Sequence, residues 1–182
     1  MRGLVKLCEH FGGLVGLIGL FRDVQFLHRV DVDNRMPAPL ASRMRENVRK
    51  VLLAVRRLYF IWVWKMDLGE GAVISLSAKL DKTNPRGIHI GRYTVVTFGA
   101  AILTHDHVNG YDHDVHIGDD CFIGAHSIIL PGVTIGDHCI VSAASIVARN
   151  VPAGSLVAGN PARIVESNLK TTHYGVRIPR EP

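Results

Sequence analysis

A six-residue period dominates the C-terminal half of this 182-residue chain. An amphipathic helix repeats every 3.6 residues and a strand every 2, so neither element fits a period of six. A parallel β-helix does fit, because three short strands and three turns make one coil of three hexapeptides. We therefore predict an all-β parallel β-helix, whose inward aliphatic positions are Ile117, Ile123, Ile129, Ile135, Val141 and Val147.

The positive charge of the chain lies in its N-terminal third. Residues 1–66 carry twelve Lys/Arg and five Asp/Glu, a net charge of +7, whereas the remaining residues carry nine and eleven, a net charge of −2. This basic segment is interpreted as a solvated helix face or, alternatively, as a contact with an anionic membrane or glycan. Nucleic-acid binding has no other support, so we expect no nucleic-acid partner.

Cysteine usage and hydropathy bear on the compartment. The three cysteines form no disulfide framework, and Cys121 and Cys139 occupy inward repeat positions as small core residues. The apolar run Phe11–Phe21 is too short to span a bilayer, and no signal-peptide cleavage pattern follows it. We expect a cytoplasmic protein, with membrane association through residues 1–66 as a further hypothesis.

Three regions are expected: a helical capping segment over 1–66, a β-helix over 67–166 and a tail over 167–182. A helix is predicted from Ser42, with an apolar face that includes Met44 and Val55. The aromatic run Leu58–Trp64 is predicted to be a strand that enters the β-helix. The helix is expected to cover the open end of the coil, since repeat folds need a cap there. The tail is expected to be a short helix or a loose segment.

The period of six fails twice. It is interrupted at Asp81–Arg86, and the fifteen residues from Ile102 to Ile117 are not a multiple of six. An off-period insertion in a solenoid forms a protruding loop, often on the binding face. The second insertion contains His105, Asp106 and His107. A histidine beside a carboxylate can act as a general base, so His105 and His107 are the candidate catalytic bases and Asp106 the candidate partner.

The sequence from Leu68 to Val165 resembles the hexapeptide-repeat acyltransferases, which include the maltose, galactoside and xenobiotic O-acetyltransferases. The resemblance lies in IGDDCFIGAHSIILPGVTIGDHCIVSAASIVARNVPAGSLVAGNPARIV. The segments KLDKTNPRGIHIG and ILTHDH look more like the branch associated with exopolysaccharide and other surface-glycan synthesis. Residues 1–66 lie outside the resemblance.

The resemblance implies a left-handed β-helix that assembles as a homotrimer, with acetyl-CoA bound between neighbouring subunits. It implies transfer of an acetyl group to a hydroxyl of a sugar or surface-polysaccharide precursor, with no metal expected. The family histidine lies in a Thr-His-Asp setting, which Thr104-His105-Asp106 reproduces. An ungapped alignment from Gly99 instead places His107 at that position, so both histidines stay candidates.

Other positions match family residues that contact the ligands. The matched cofactor-binding positions are Gly124 and Ala125 for the oxyanion, Ala143, Ala144 and Ser145 for the pantetheine arm, Arg149 and Arg163 for the phosphates and Pro161 for the adenine. The matched substrate-binding positions are Asn84 and Phe122. Phe122 stands where many relatives have tryptophan. The histidine loop is shorter than that of the galactoside enzyme, so the acceptor residues of that enzyme are not carried over.

Two alternatives stay open at this point. The first is a zinc hydratase like the γ-type carbonic anhydrases, which share the β-helix; His105, His107, His113 and His116 would be its candidate ligands. The second is a non-catalytic trimeric scaffold. The segment GNPAR, residues 159–163 at the end of the repeats, favours the acyltransferase over the hydratase.

Overall fold

The structure is a computed structural model that describes residues 40–178. The part of the N-terminal segment before Leu40 and the last four residues lie outside the described residues. Residues from Arg56 onward form one compact unit, and residues up to Val55 belong to another. No helix in the described range is long and apolar enough to cross a membrane.

The unit from Arg56 onward is a left-handed parallel β-helix with three faces, which confirms the predicted fold. Face A contains β1 (Asp67–Leu68), β4 (Ile88–Ile90), β9 (Val115–Ile117) and β12 (Thr134–Ile135). Face B contains β2 (Val73–Ile74), β5 (Val95–Val96), β10 (Phe122–Ile123), β13 (Ile140–Val141) and β15 (Leu156–Gly159). Face C contains β3 (Lys79–Leu80), β6 (Ala101–Ile102), β11 (Ile128–Ile129) and β14 (Ile146–Val147).

The predicted period describes the core of this β-helix. Each two-residue strand points its second side chain inward, and these side chains stack through parallel pairing from coil to coil. The pairing therefore forms continuous apolar columns, whose burial is the main stabilising term of the fold. All six predicted inward positions are buried, at 0–3% exposure: Ile117, Ile123, Ile129, Ile135, Val141 and Val147.

The last strand of the array reverses direction. Strand β16 (Ala162–Glu166) pairs antiparallel with β15, and the two are joined by a turn that contains a cis peptide bond between Asn160 and Pro161. Strand β16 is the edge strand of face B, so the hairpin ends this face.

Within residues 40–178, one α-helix, α1 (Leu40–Trp62), precedes the coils. The predicted strand over Leu58–Trp64 is wrong, because the helix continues through most of that run and places Phe60 in the buried cluster of the β-helix. Arg56 and Arg57 were expected to be solvated, yet they are partly buried and their guanidinium groups donate hydrogen bonds to backbone carbonyls. The Nη2 atom of Arg56 lies 2.7 Å from the oxygen of Ala78, and that of Arg57 lies 2.9 Å from the oxygen of Gly69. The end of α1 thus covers the first coil, as a cap should.

The C-terminal segment packs on the coils, so the expected short helix or loose tail is wrong. It forms a small hairpin of β17 (Thr171–Thr172) and β18 (Val176–Arg177) with a 3₁₀ turn at His173–Gly175. Thr171 is buried, and its hydroxyl donates to the carbonyl of Asp120 at 2.8 Å. These polar contacts with turn backbone fix a segment whose sequence has no apolar period.

Candidate active site

The two interruptions of the period leave the β-helix at the same corner. Strand β3 pairs with β6, so that Leu80 lies beside Ile102, and the chain departs from both coils immediately afterwards. The first insertion ends at face A with β4, and the second forms a hairpin of β7 (His105–Asp106) and β8 (Tyr111–Asp112) before β9. This corner between faces C and A, called the histidine corner below, is therefore where the chain carries its extra residues.

The carboxylate of Asp81 is the centre of the histidine corner. Its Oδ2 atom accepts hydrogen bonds from the backbone N–H groups of Thr104 at 3.0 Å and His105 at 3.2 Å, and its Oδ1 atom accepts one from Thr83 at 2.9 Å. The Nδ1 atom of the His105 ring makes a short hydrogen bond with Oδ2. Burial alone would raise the pKa of the Asp81 carboxyl, but these bonds and the positive charge of His105 outweigh it and hold the pKa at about 2.

The ionised state of Asp81 determines the tautomer of His105. Because the carboxylate can only accept, the shared hydrogen is on Nδ1, which leaves Nε2 as the nitrogen able to take up a proton. The His105 side chain is 31% exposed, so a ligand can reach it, whereas the Asp81 side chain is 4% exposed. The hydrogen bond to Asp81 raises the pKa of His105 above its ordinary value. The pair has the features of an oriented general base.

Thr104 and Asn84 connect the two insertions. The buried hydroxyl of Thr104 donates to the backbone carbonyl of Asn84 at 2.7 Å, and the N–H of His113 donates to the carbonyl of Thr104 at 2.9 Å. Asn84, a predicted substrate-binding residue, thus lies in the insertion that supports the histidine hairpin. These bonds hold the base of the hairpin by backbone contacts, which limits how far His105 can move.

Asp106 is not the carboxylate that contacts the histidine ring. Its oxygens accept from the backbone N–H groups of Val108 and Asn109 and from the side chain of Asn109, at 2.7–3.0 Å. Those bonds, the Asn109 side chain first among them, lower the pKa of Asp106 and close the turn of the hairpin. The carboxylate that contacts the His105 ring is that of Asp81, because β-helix stacking brings residue 81 next to residue 105.

His107 and His105 differ in their surroundings. His107 is exposed in the hairpin turn, and its ring lies edge-on to that of His105 with the centroids 6.4 Å apart. A ring fixed by a buried carboxylate is better oriented for proton transfer than an exposed one. The geometry favours His105 as the base.

The predicted cofactor residues line a different corner, between faces B and C, which we call the turn column. The N–H of Ala144 donates to the carbonyl of Ala125 at 2.8 Å, so successive turns stack directly. A Cβ atom at Gly124 would lie 2.6 Å from the nitrogen of Ala143, so the stacking requires glycine there. Ser145 is buried, and its hydroxyl oxygen accepts from the N–H of Gly159 at 3.1 Å. The column is narrow, with much of its surface formed by small side chains and backbone.

The outer cofactor positions lie around the closing hairpin. Pro161 is in the turn between β15 and β16, Arg163 follows it on β16, and Arg149 is exposed just beyond β14. The guanidinium of Arg163 contacts only its neighbour's carbonyl, that of Ala162 at 3.0 Å, among the hydrogen bonds of the described residues. Both arginines can therefore offer charge to a ligand on this side.

The histidine corner and the turn column do not meet within one chain. Face C separates them. About four extended residues cross a face from one corner to the next, and such a run spans ~13 Å. A single acetyl group cannot touch both. The structure thus brings together Asp81, Asn84 and His105, and separately the turn-column residues, but it does not join the two sets.

Phe122 is partly covered by the chain's own tail and is half-buried. A Cβ atom at Gly175 would lie 3.0 Å from the nitrogen of Phe122, which shows how closely the tail backbone approaches β10. The tail therefore borders the surface of Phe122 that an acceptor could reach.

The four histidines considered for a zinc hydratase are not gathered into one site. Among residues 40–178, the group of ligand atoms that lie within 4.8 Å of one another belongs to His89, Asp114 and His116. Of the four histidines only His116 takes part.

Asp81 is the candidate site residue that sequence reasoning missed. A signal was present: Leu80 and Ile102 are 22 residues apart rather than the 18 of one coil, which marks an insertion beginning at residue 81. Two insertions one coil apart must leave the same corner, so their polar residues are neighbours.

The repeat region is similar in sequence to known hexapeptide-repeat proteins. Residues 114–149 match the family model described as the hexapeptide repeat of succinyl-transferase. YvoF of Bacillus subtilis (strain 168), which is assigned as an acetyltransferase, is 39% identical over 103 residues, covering 56% of this chain and 60% of its own length. Protein CapG of Staphylococcus aureus is 42% identical over 96 residues, covering 47% of this chain and 55% of its own length.

The fold is shared with solved acetyltransferases. A maltose O-acetyltransferase from Clostridium difficile 630 aligns with a TM-score of 0.50 and 21% identity, covering 81% of this chain and 87% of that one. The chain spans somewhat more than half the length of the curated relatives that it matches. In its repeat period, its left-handed coil and these matches, the repeat region of this chain is similar to the hexapeptide-repeat acetyltransferases.

Proposed function

We propose that the protein is an acetyl-CoA-dependent O-acetyltransferase that acts on a hydroxyl of a sugar or surface-polysaccharide precursor. The observation that carries this proposal is the hydrogen bond between His105 and the buried Asp81, at the corner where both insertions leave the β-helix. The family relation supports the donor class, and the oriented imidazole supports attack by a hydroxyl.

In this mechanism His105 carries one proton from the acceptor hydroxyl to the leaving thiolate. Nε2 removes the proton of the acceptor hydroxyl while the oxygen attacks the thioester carbonyl of acetyl-CoA. The resulting tetrahedral oxyanion collapses, the carbon–sulfur bond breaks, and the proton on Nε2 passes to the departing thiolate. Asp81 stays ionised throughout and stabilises the imidazolium. General-base assistance of this kind contributes ~10²–10⁴-fold.

The turn column supplies the donor side of the reaction. We infer that acetyl-CoA lies along it, with its pantetheine arm against Ala143 and Ala144 and beside Ser145, and its phosphates near Arg149 and Arg163. A guanidinium suits a phosphate because it donates two parallel hydrogen bonds. In this proposal the backbone N–H of Ala125, next to Gly124, stabilises the oxyanion at this column, an effect of ~10²–10³-fold. Pro161 lies at the adenine end in this arrangement.

Because face C separates the histidine corner from the turn column, we propose that the site is completed by a neighbouring subunit in a homotrimer. His105 would act on an acetyl group held in the turn column of the next chain. A closed ring of three equivalent contacts gives three such sites. This arrangement explains why base and groove occupy different corners of one chain.

The acceptor class follows from the histidine corner. We propose a sugar hydroxyl because the site offers polar and aromatic groups rather than an apolar slot: Asn84 supports the corner and Tyr111 is exposed on the hairpin. The maltose O-acetyltransferase that shares the fold acts on a sugar by its name. The loop segments that resemble the surface-glycan branch extend this proposal to polysaccharide precursors.

Helix α1 presents a second apolar face that points to solvent. Its exposed residues recur at helical spacing: Met44, Val48, Val51, Leu52, Val55 and Tyr59 are 44–60% exposed. The exposed Arg45 and Arg49 lie beside this stripe, and Glu46 is the helix's one acidic residue. A basic amphipathic helix with such a stripe binds anionic lipid interfaces. We propose that it holds the enzyme at an anionic membrane surface, where a lipid-linked acceptor would be available.

Release of CoA thiol from acetyl-CoA, measured with a panel of sugars and lipid-linked glycans, tests the activity. We expect acceptor-dependent release that His105→Ala abolishes. Release that is the same with and without every acceptor, or unchanged in His105→Ala, would contradict the proposal.

A subunit-mixing experiment tests the shared site. Ala143→Trp fills the turn column at an exposed position, and His105→Ala removes the base. Each variant alone is expected to be inactive. When the two variants are unfolded, mixed at equal ratio and refolded, about one quarter of the sites should combine an intact base with an intact groove and be active. If base and groove belonged to the same chain, mixing would restore nothing.

Sedimentation with vesicles tests the membrane contact. The protein should co-sediment with phosphatidylserine-containing vesicles more than with neutral ones, and Val48→Glu should reduce binding roughly tenfold by placing a charge in the stripe. Asn47→Glu adds the same charge beside the stripe and is the matched control. Equal effects of the two variants would show that net charge alone determines binding.

A further inference from the structure

The outer surface of face A carries a polar ladder that the proposed reaction does not use. Parallel pairing places Asp67 beside His89 and His89 beside His116 on successive coils. The two imidazole rings stack with centroids 4.4 Å apart and planes 7° apart. Asp114 lies at the end of the histidine hairpin, and its Oδ2 atom is 3.7 Å from Nε2 of His89.

The nitrogens of His89 are divided between two carboxylates. Nδ1 lies 3.2 Å from Oδ2 of Asp67, while Nε2 faces Asp114. This is how metal-binding histidines are commonly held: the nitrogen that does not bind the metal donates to a carboxylate, which fixes the tautomer and increases the basicity of the other nitrogen. The partly buried ring of His89 is thus oriented with Nε2 towards the other two side chains.

We propose that His89, Asp114 and His116 bind a divalent transition-metal ion, and that zinc is the ion that best suits two imidazoles and one carboxylate. Three protein ligands leave a fourth tetrahedral position for water or an exogenous ligand. A groove along face A, lined by Asp67, His89 and His116 among others, gives solvent access to that position.

The separations are compatible with such a site. The three ligand atoms lie within 4.8 Å of one another. Zinc–ligand bonds are ~2.0–2.2 Å, so tetrahedral ligand atoms lie ~3.4 Å apart, and an inward movement of about one ångström is required. Asp114 and His116 are exposed, and rotation about their side-chain bonds can provide it. The same rotation must turn the His116 ring out of its stack with His89, so that a nitrogen of each ring faces the ion in its own ring plane.

A metal bound here would join three segments of the chain. It would connect β4, β9 and the end of the histidine hairpin, whose last residue before β9 is Asp114. Metal binding and hairpin order are therefore coupled, because the bound ion stabilises only the conformation that brings the ligands together. This site differs from the hydratase set considered above, since it uses neither His105 nor His107.

Equilibrium dialysis of the untagged full chain against Zn²⁺ after chelator treatment, with bound metal measured by mass spectrometry, tests the site. We expect one zinc per chain, and at least tenfold weaker binding in His116→Ala and Asp114→Asn. Asp67→Asn should weaken binding ~10–100-fold although it removes no ligand, because it frees the His89 ring. His113→Ala, which removes an exposed histidine of the same hairpin, should bind zinc as the wild type does.

A second readout guards against variants that fail to fold. Co²⁺ bound to the wild type should give visible absorption bands of a tetrahedral site, and these should disappear in His116→Ala at an unchanged far-ultraviolet circular dichroism spectrum. Absence of stoichiometric zinc in the wild type would overturn the proposal. Loss of zinc in His113→Ala equal to that in His116→Ala would do the same, because it would indicate binding by dispersed surface histidines.

Discussion

Nδ1 of His105 donates a hydrogen bond to Oδ2 of Asp81, and the two residues are 24 positions apart in the chain. One coil of the β-helix and one insertion separate them, so the contact exists only because both insertions leave the same corner. The bond fixes the tautomer, raises the pKa of the imidazole and leaves Nε2 for the acceptor hydroxyl. The proposed catalytic base therefore depends on a residue outside its own loop.

His105→Ala is expected to lower kcat/KM by ~10²–10⁴-fold, because the acceptor hydroxyl loses its general base. His107→Ala, the matched control in the same hairpin, should change kcat/KM by less than about fivefold, since its ring is exposed and has no part in orienting the base. Steady-state kinetics with acetyl-CoA and the best acceptor would decide between them. A larger effect at His107 would reverse the assignment.

Asp81→Asn should alter the pH dependence of kcat/KM. The base must be neutral, and its pKa is raised in the folded protein, so activity falls with decreasing pH already above the usual histidine value of ~6.5. Replacing the carboxylate removes the cause of that shift, and the acidic limb should move to lower pH. The plateau should fall at least roughly tenfold, because the tautomer is no longer fixed. An acidic limb at the wild-type position would show that Asp81 does not control the base.

Stability should depend on Asp81 in a defined pH range. Its carboxyl has a pKa of about 2 in the fold and ~3.9 when unfolded. A lowered pKa stabilises the folded state above the unfolded value, and the contribution is lost as pH falls towards about 2. The difference in unfolding free energy between wild type and Asp81→Asn, roughly 2 kcal/mol from this linkage, should be largest near pH 5 and shrink below pH 4. It should also decrease above about pH 6.5, because the raised pKa of His105 stabilises the fold only while the ring is protonated. Urea unfolding across that range measures it; a difference that grows as pH falls below 4 would contradict the assignment.

The sequence predicted the repeats well because every coil repeats the same physical requirement. The six positions at intervals of six from Ile117 to Val147 had to face inward and be aliphatic, because parallel pairing stacks them from coil to coil. The hydrogen bond between Asp81 and His105 could not be predicted in the same way. The two residues lie in insertions, which have no period, and their contact depends on how neighbouring coils stack. The run Leu58–Trp64 was misassigned for a related reason: its aromatic residues suit a strand locally, but burial of Phe60 against the first coil favours continuation of the helix.

Gly136→Ala should disturb coil stacking. A Cβ atom there would lie 2.6 Å from the nitrogen and 2.8 Å from the Cα atom of Ala153, and backbone cannot move aside as a side chain can. We expect a loss of ~3 kcal/mol or more in unfolding free energy, the upper end of the range for overpacked cores, because the clashing atoms are backbone. Gly110→Ala is the control: nothing lies within 4 Å of its Cβ position, and only its φ of +74° opposes alanine, at ~1–2 kcal/mol. Chemical unfolding of both variants should therefore show the larger loss at Gly136.

Thr171→Val should release the tail from face B. The substitution keeps the volume of the side chain and removes the hydroxyl that donates to the carbonyl of Asp120 and lies 3.1 Å from Nδ1 of His138. Loss of the donor to this half-buried carbonyl is expected to cost ~1 kcal/mol, which raises the open population of a short terminal segment about fivefold. Amide hydrogen exchange of β17 and β18 should accelerate, and limited proteolysis should cut there first.

Thr172→Val, whose hydroxyl makes only a 3.3 Å contact at an exposed position, is the matched control. Since the tail partly covers Phe122, release of the tail should also change the KM of the acceptor if Phe122 lines its pocket. Exchange rates that are equal in the two variants would show that the Thr171 hydroxyl does not hold the tail in place.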